Sequence, residues 1–142
     1  MGPLNKVRVL LADDHPLMLK EVVSLLEPTF EVVGRVGDGK SLFESAMKLQ
    51  ADVIISDISM PILSGIEAAD KLKVSGCRSK IVFLTVHSDP DFVRACLATG
   101  ALGYVAKSRM VTDLLSAIRE ALAGRIFISP LLNFRTPNNL AL

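Results

Sequence analysis

The sequence predicts an α/β fold in which helices cover both faces of a doubly wound, five-stranded parallel sheet. Apolar runs rich in β-branched residues alternate with segments of helical period, and this pattern is typical of parallel sheets that are covered on both faces. Successive strands are joined by crossovers of roughly 15 to 20 residues, which suit right-handed βαβ units. A chain of 142 residues is long enough for one such domain with a sizeable core.

Strands are predicted where short apolar runs stop at charged or turn-forming residues. They lie near residues 7–12, 30–36, 52–57, 80–85 and 101–106. The second is the least regular, because it contains Gly34 and alternates poorly between apolar and polar residues. Such irregularity favours a position at the edge of the sheet.

Helices are predicted from apolar residues that recur at spacings of three and four. They lie near residues 16–27, 40–49, 65–75, 90–98 and 110–123. The last has the clearest apolar stripe, which comprises Val111, Leu114, Leu115, Ile118, Ala121 and Leu122. Gly124 is a predicted C-terminal cap for it, and Ser41 and Ser64 lie near the starts of two other helices.

The amino-acid composition of the chain changes after Gly124, so the folded domain is predicted to cover residues 6–124. Residues 125–142 are interpreted as a linker or tail, because residues 131–142 contain two asparagines, a proline and no acidic residue. Met1–Asn5 are left out of the fold as a segment with the character of an expression remnant.

Charge and hydropathy argue against several classes of protein. The formal net charge is +1, without the clustered basic excess that nucleic-acid binders carry, so this segment is not expected to bind DNA itself. No apolar run approaches the roughly 20 residues that span a membrane, and no secretory signal is recognisable. Cys77 and Cys96 lack metal-ligand spacing and are expected to be unpaired thiols, so the chain is predicted to be cytoplasmic.

Polar and charged residues mark the ends of four predicted strands, where the carboxyl ends of a parallel sheet meet. They are Asp13 with Asp14, Asp57, Thr85 and Lys107. Two like charges about 4 Å apart repel by roughly 4 kcal/mol at an effective dielectric near 20. Lys107 supplies only one positive charge, so the acidic pocket is expected to take a divalent cation. Oxygen ligands without a cluster of His or Cys favour Mg²⁺.

A pocket of this kind suits phosphoryl transfer, in which a carboxylate attacks in line and forms an acyl phosphate. Asp57 is the better candidate nucleophile because it stands alone at its strand end, whereas the adjacent Asp13 and Asp14 are better placed to hold a metal. Each acidic residue by itself could equally be a turn former or a helix cap. The coincidence of four matching strand ends favours the functional interpretation for the whole set.

Four motifs resemble the receiver domain of bacterial two-component response regulators, over about residues 6–124. They are Leu10–Pro16 (LLADDHP), Ser56–Gly65 (SDISMPILSG), Phe83–His87 (FLTVH) and Gly103–Ser108 (GYVAKS). The resemblance implies a flavodoxin-like sheet with strand order 2-1-3-4-5. It also implies that Asp57 accepts a phosphoryl group from a sensor histidine kinase and that Lys107 pairs with that group. The implied ligands of Mg²⁺ are Asp13, Asp14, Asp57 and the backbone carbonyl of Ser59.

The same resemblance implies a switch formed by Thr85 and Tyr104. A hydroxyl that bonds to the phosphoryl anion contributes roughly 1.5–3 kcal/mol. That shifts a two-state loop equilibrium about 10- to 150-fold. Thr85 is expected to move toward the phosphoryl group and Tyr104 to turn inward, which changes the surface around the fourth helix and fifth strand. Pro61 and Gly65 match the loop beside Asp57.

Three segments are most similar to the NarL/FixJ, or LuxR-type, subfamily: Asp14–Pro16, Thr85–His87 and Gly124–Pro130. Its members usually continue into a helix-turn-helix DNA-binding domain, which this chain lacks. The resemblance therefore implies regulation of transcription through an output domain outside this chain, with a homodimer on phosphorylation, although a receiver that stands alone is the alternative. Ser108 stands where many receivers have proline, which makes a cis bond after Lys107 less expected.

Three further side chains leave alternatives open. His15 is a conceivable metal ligand, but we favour a role in shaping the loop before Pro16. In receivers, the positions of Ser59 and His87 border the water that hydrolyses the acyl phosphate, so these residues are expected to tune its lifetime. The competing interpretation is that both are ordinary solvent-exposed loop residues.

Other functions fit the sequence less well. A phosphatase or phosphotransferase that works through an aspartyl phosphate usually has a second aspartate two residues after the nucleophile, where this chain has Ser59. We therefore expect no enzyme for external substrates, but a domain that promotes only its own phosphorylation and dephosphorylation. A degenerate scaffold is disfavoured by the complete residue set, and a flavin-binding domain by the missing phosphate loop.

Overall fold

The computed structural model describes residues 6–130, which form a parallel sheet with helices on both faces. The strands are β1 (Arg8–Ala12), β2 (Glu31–Val36), β3 (Val53–Ser56), β4 (Lys80–Thr85), β5 (Gly103–Ala106) and β6 (Phe127–Ile128). The helices are α1 (Pro16–Leu26), α2 (Gly39–Leu49), α3 (Gly65–Val74), α4 (Pro90–Ala98) and α5 (Met110–Leu122), with a 3₁₀ turn at Lys107–Arg109. The interpretations of Met1–Asn5 and of residues 131–142 concern parts of the chain outside the described residues.

The strands pair in the order β2-β1-β3-β4-β5-β6, and every pairing is parallel. The predicted fold class and the order 2-1-3-4-5 are confirmed. The short β6 is an addition that the sequence analysis did not foresee, because it placed residues 125–130 in a linker. Phe127 and Ile128 instead pair with Gly103 and Tyr104. A strand of two residues is too short to show a period of its own, so only the structure reveals it.

At the edge of the sheet, β2 shows the irregularity that its sequence predicted. The register against β1 shifts between Val9 and Leu10, so that Leu10 is paired with Gly34 and Val33 is left out of the pairing. A Cβ on Gly34 would lie 3.0 Å from Leu10 Cδ1, which leaves little room for a side chain there. Glycine is therefore used here for close packing of the edge strand.

The hydrophobic core forms two layers, one on each face of the sheet, because successive strand residues point to opposite faces. One face packs against α1 and α5, and its buried strand residues are Val9, Leu11, Val53, Ile55, Val82, Leu84 and Val105. The other face packs against α2, α3 and α4, and its buried strand residues are Leu10, Ala12, Ile54, Phe83, Tyr104 and Ala106. The switch candidate Tyr104 thus belongs to the core beside α4.

Local capping explains where several helices begin and end. Ser64 caps α3 through a capping box with Glu67, with bonds of 3.1 and 2.9 Å. The cap of α2 is Asp38, whose carboxylate accepts hydrogen bonds from the backbone N–H and the hydroxyl of Ser41. Gly124 adopts a positive φ of 78° and ends α5, as predicted from sequence.

Both cysteines are free thiols. Cys96 is fully buried, and this burial raises the pKa of its thiol to about 12, so the thiol stays protonated at neutral pH. Among residues 6–130, no helix has the length and apolar character needed to cross a membrane.

Candidate functional site

The strand register brings the predicted acidic residues to one edge of the sheet. The backbone N–H of Asp57 donates to the carbonyl of Ala12 at 2.9 Å, and that of Asp13 donates to the carbonyl of Val36 at 3.0 Å. These bonds continue the ladder for one step beyond the strands, so both carboxylates leave the sheet at the same level. Lys107 follows β5 and reaches this pocket from the other side of β4.

Lys107 bridges two carboxylates in a nearly closed pocket. Its Nζ lies 2.9 Å from Asp13 Oδ2 and 3.0 Å from Asp57 Oδ2, and the exposed fractions of the three side chains are 9%, 6% and 5% in that order. Burial alone would lower the pKa of Lys107, but the hydrogen bonds to Asp13 and Asp57 outweigh it and raise the pKa above its usual value. The ammonium therefore stays charged at neutral pH.

Asp14 and His15 complete a cluster that could hold a cation. One ligand atom from each of Asp13, Asp14, His15 and Asp57 can be chosen so that all lie within 4.8 Å of one another. The three carboxylates are hard oxygen donors, and hard donors fit a divalent ion such as Mg²⁺. The chemistry of this donor set thus fits the cation that the sequence analysis expected.

His15 is more closely involved in the pocket than a loop-shaping role requires. Its Nδ1 lies 2.9 Å from Asp13 Oδ1 and 3.1 Å from Asp14 Oδ1, although its side chain is 67% exposed. The hydrogen bond to Asp13 and the charge of Asp14 raise the pKa of His15. Its backbone N–H also donates to Asp13 Oδ1 at 2.9 Å, so both interpretations of His15 have a contact that supports them.

The two carboxylate oxygens of Asp57 have different surroundings. Oδ1 accepts a 2.7 Å hydrogen bond from the backbone N–H of Ile58, and Oδ2 faces Lys107. The backbone carbonyl of Asp57 accepts from Ser56 Oγ at 2.7 Å. A Cβ on Gly65 would lie only 2.0 Å from that carbonyl oxygen. Only glycine fits beside Asp57, which gives a steric reason for Gly65 in this loop.

Thr85 and Tyr104 meet at the backbone of one residue, His87. The backbone N–H of His87 donates to Thr85 Oγ1 at 3.1 Å, and Tyr104 OH donates to the carbonyl of His87 at 2.9 Å. Thr85 and Tyr104 are fully buried, and burial raises the pKa of the Tyr104 phenol well above its usual value. The Tyr104 ring is therefore turned inward, in the core beside α4.

The side chain of His87 connects the loop after Asp57 to α4. Its Nε2 shares a 2.9 Å hydrogen bond with Ser59 Oγ, and its ring stacks on Phe92 with 4.3 Å between the ring centroids. Ser59 is exposed and His87 half-buried, so the bond lies at the mouth of the pocket. Ser59 and His87, which were predicted to border the same water, are hydrogen-bonded to each other, and their effect on the lifetime of the acyl phosphate stays a prediction.

Next to the lysine lies a buried carboxylate that the sequence analysis missed. Arg109 Nε and Nη2 donate to the two oxygens of Asp113 at 2.7 and 3.1 Å, and Ser129 Oγ donates to Asp113 Oδ2 at 2.7 Å. Asp113 is 4% exposed and Ser129 is 2% exposed. The spacing of four between Arg109 and Asp113 was a possible signal in the sequence. The contact with Ser129 had none, because it depends on how the chain returns after α5.

Asp113 makes the stability of the domain depend on pH. The hydrogen bonds from Arg109, opposed by burial and assisted by Ser129, lower the pKa of Asp113 in the folded chain. The stabilisation that Asp113 gives to the folded state is therefore fully present when the pH is above its pKa in the unfolded chain, about 3.9. This stabilisation is lost as the pH falls through the lower pKa of the folded chain. We expect Asp113→Asn to lower the free energy of unfolding by about 2 kcal/mol near pH 7 and by much less near pH 3. Urea unfolding at both pH values checks this, with Asp70→Asn on the exposed face of α3 as control; an equal deficit at both values would contradict it.

Comparison with known proteins places these features in one family. Residues 9–119, more than half of the chain, match the response regulator receiver domain. The uncharacterized transcriptional regulatory protein YvfU of Bacillus subtilis (strain 168) is 35% identical over 130 residues, which cover 90% of this chain and 65% of YvfU. Across three curated relatives, including YvfU, the chain spans 54% to 65% of the length of the relative.

Solved structures agree with the sequence comparison. A two-component response regulator of the LuxR family from Aurantimonas sp. SI85-9A1 is 30% identical with a TM-score of 0.85, covering 90% of this chain and 93% of its own. The isolated receiver domain of RcsB from Salmonella enterica serovar Typhimurium, solved in the presence of the phosphomimetic BeF3−, is 32% identical with a TM-score of 0.82 and coverages of 90% and 96%. The chain therefore belongs to the response regulator receiver domain family, with relatives of the LuxR type.

Proposed function

We propose that this chain is the phosphoacceptor domain of a two-component system and that a sensor histidine kinase transfers its phosphoryl group to Asp57. The observation that carries the proposal is the buried bridge from Lys107 to Asp57 and Asp13. Nothing in the packing of the sheet requires two carboxylates and an ammonium at this edge. Such a cluster is costly for stability, and its residue types are those that phosphoryl transfer uses.

Individual residues of the chain have different roles in the phosphoryl transfer. The carboxylate of Asp57 attacks the phosphorus atom, a P–O bond forms, the P–N bond to the kinase histidine breaks, and the imidazole nitrogen leaves with the electron pair. Ile58 N–H holds one carboxylate oxygen, which fixes the orientation of the nucleophile. Lys107 then offers its charge to the phosphoryl oxygens.

Mg²⁺ is the cation that we propose for the acidic cluster. Asp13, Asp14, Asp57 and the backbone carbonyl of Ser59 would hold it. When bound, it would supply positive charge that offsets the negative charge of the phosphoryl oxygens. The three clustered carboxylates support this assignment.

We propose that Thr85 couples phosphorylation of Asp57 to a change in the surface near α4. It is buried at the end of β4 and is hydrogen-bonded to the backbone of His87, which also accepts the hydrogen bond of Tyr104. Rotation of the Thr85 hydroxyl toward a phosphoryl group would release the His87 N–H and loosen this loop. The population of the inward Tyr104 ring would change with it.

The output is proposed to be transcription regulation through a helix-turn-helix domain outside this chain. The support is the family, the description of YvfU as a transcriptional regulatory protein and the share of that protein that the chain spans. We further propose a homodimer on phosphorylation, cytoplasmic function beside the kinase, and no catalysis on external substrates. Ser59 agrees with the last point, because it places no carboxylic acid two residues after Asp57.

Acetyl phosphate provides the direct test, because it is a phosphodonor that needs no kinase. In the presence of Mg²⁺, the wild-type chain is expected to gain the mass of one phosphoryl group, and EDTA is expected to prevent the gain. Asp57→Asn should gain nothing, whereas Asp52→Asn, at the other end of the same strand, should behave like wild type. An equal gain in Asp57→Asn would refute the proposal.

Removing the His87 side chain is expected to shorten the lifetime of the acyl phosphate. His87→Ala loses the bond to Ser59 at the mouth of the pocket, and one hydrogen bond of about 1 kcal/mol corresponds to roughly fivefold faster dephosphorylation. Phe92→Leu is the matched control, because it removes the stacking partner and leaves the Ser59–His87 bond. Loss of the phosphoryl group after removal of acetyl phosphate, followed by intact mass, checks the prediction. Equal rates for His87→Ala and wild type would show that the bond does not control hydrolysis.

A further inference from the structure

We propose that Ser129, which lies beyond the predicted end of the domain, is a positioning residue for Lys107. This inference rests on the proposed function and deepens it. Ser129 fixes the backbone that carries the lysine, although it lies in a segment that was predicted to be a linker. We refer to the side chains of Asp113 and Ser129, together with the Arg109 side chain and the Ala106 N–H that they bind, as the lysine brace.

On one side of Lys107, the brace holds the end of β5. Ser129 Oγ accepts a 3.1 Å hydrogen bond from the backbone N–H of Ala106, the residue before the lysine. The backbone N–H of Ser129 donates to the carbonyl of Tyr104 at 2.9 Å. Ser129 thus completes the outer edge of β5 where β6 has already ended. Ala106 is buried, so without Ser129 its N–H would lose its partner away from bulk water.

On the other side of Lys107, the brace holds the 3₁₀ turn. Arg109 closes this turn and is bound through two nitrogens to Asp113. Asp113 Oδ2 also accepts the hydroxyl of Ser129, so the two sides of the brace join at one oxygen. The peptide bond after Lys107 is trans, as the serine at position 108 led us to expect.

The contacts of Lys107 with both carboxylates depend on where its side chain is held. Its Nζ contacts Asp57 and Asp13 at 3.0 and 2.9 Å, and a lysine that is displaced by a fraction of that distance loses one of the two contacts. Asp113 and Ser129 are buried, and their side-chain oxygens are all hydrogen-bonded. Asp113 and Ser129 thus hold Lys107 against both carboxylates, and Ser129 connects the pocket to the segment after α5.

The experiment compares rates of phosphorylation by acetyl phosphate with Mg²⁺, at saturating donor, for folded protein. Phosphorylation of Ser129→Ala is expected to be about 5- to 10-fold slower than that of wild type, because both hydrogen bonds of the Ser129 hydroxyl, to Ala106 and to Asp113, are lost. Ser129→Thr, which keeps the hydroxyl, should restore the rate to within about twofold. Arg125→Ala is the matched control, because its exposed side chain lies in the same segment and, within residues 6–130, is hydrogen-bonded to Glu120. Each rate is corrected for the folded fraction from urea unfolding, so a loss of stability alone does not alter it.

Two readouts separate the possible failures. A wild-type chain that gains no phosphoryl group overturns the proposed function, whereas an active wild type with an equally fast Ser129→Ala overturns the brace alone. Hydrogen exchange of the Ala106 and Lys107 amides, measured without any phosphodonor, tests the brace independently. Ser129→Ala should accelerate exchange at these two amides and leave Val9 and Leu10 of β1 unchanged. Unchanged exchange at Ala106 would overturn the inference whatever the phosphorylation result.

Discussion

Replacing Lys107 by methionine is expected to lower the free energy of unfolding by about 3 to 5 kcal/mol in metal-free buffer. The substitution keeps a side chain of similar length but leaves Asp13 and Asp57 facing each other without the ammonium that bridges them. Both carboxylates are almost fully buried, so water cannot replace the lost charge. Urea unfolding in the presence of EDTA measures the effect.

Two comparisons test that this loss comes from the carboxylates. The double variant Lys107→Met with Asp57→Asn should recover part of the loss, because one of the two repelling charges is gone. Added Mg²⁺ should also recover part of it, in proportion to how tightly the folded chain binds the ion. Lys80→Met, at the exposed start of β4, should change stability by less than about 0.5 kcal/mol. Equal stability of Lys107→Met and wild type would mean that the ionic bridge contributes nothing to the fold.

Replacing Gly65 by alanine is the second change with a large expected effect. The new Cβ would lie 2.0 Å from the backbone carbonyl oxygen of Asp57, and the Gly65 N–H is fixed to the carbonyl of Ile58 at 2.7 Å. Neither partner is a flexible side chain, so the backbone around Asp57 must move. We expect a loss of about 3 kcal/mol in the free energy of unfolding, together with slower phosphorylation by acetyl phosphate.

Gly37→Ala is the matched control for Gly65→Ala. It adds the same methyl group near the same pocket, but the nearest atom to the new Cβ is the carbonyl oxygen of Asp13 at 3.7 Å, an ordinary contact distance. The control should unfold within about 0.5 kcal/mol of wild type. If the two variants were equally stable, close approach of α3 to the Asp57 carbonyl would not be what requires glycine.

The parts of this protein that were predictable from sequence are those with a long period or a fixed place at a strand end. The runs that form β1, β3, β4 and β5 identified the fold, because burial on both faces forces continuous apolar segments. The apolar stripe predicted for α5 is buried at Leu114, Ile118 and Ala121, whereas Val111 and Leu122 are exposed. Asp13, Asp57 and Lys107 were predicted to meet, because parallel strands bring their carboxyl ends to one edge.

The parts that were not predictable depend on side-chain contacts between distant loops. The two residues of β6 have no period, and the bond from Ser129 to Asp113 joins positions that only the turn after α5 brings together. The inward ring of Tyr104 depends on its bond to the His87 carbonyl, and no spacing in the sequence encodes a rotamer. The His15 ring lies between two carboxylates, a contact that the position of His15 before Pro16 does not encode.

Asp57, and no other residue, is expected to carry the phosphoryl group. Borohydride reduction of the phosphorylated chain converts an aspartyl phosphate into homoserine, which peptide mass spectrometry can locate. We predict homoserine at position 57 alone, in wild type treated with acetyl phosphate and Mg²⁺, and none in Asp57→Asn. Homoserine at position 13 or 14, or a phosphoryl gain that leaves position 57 as aspartate, would contradict the account.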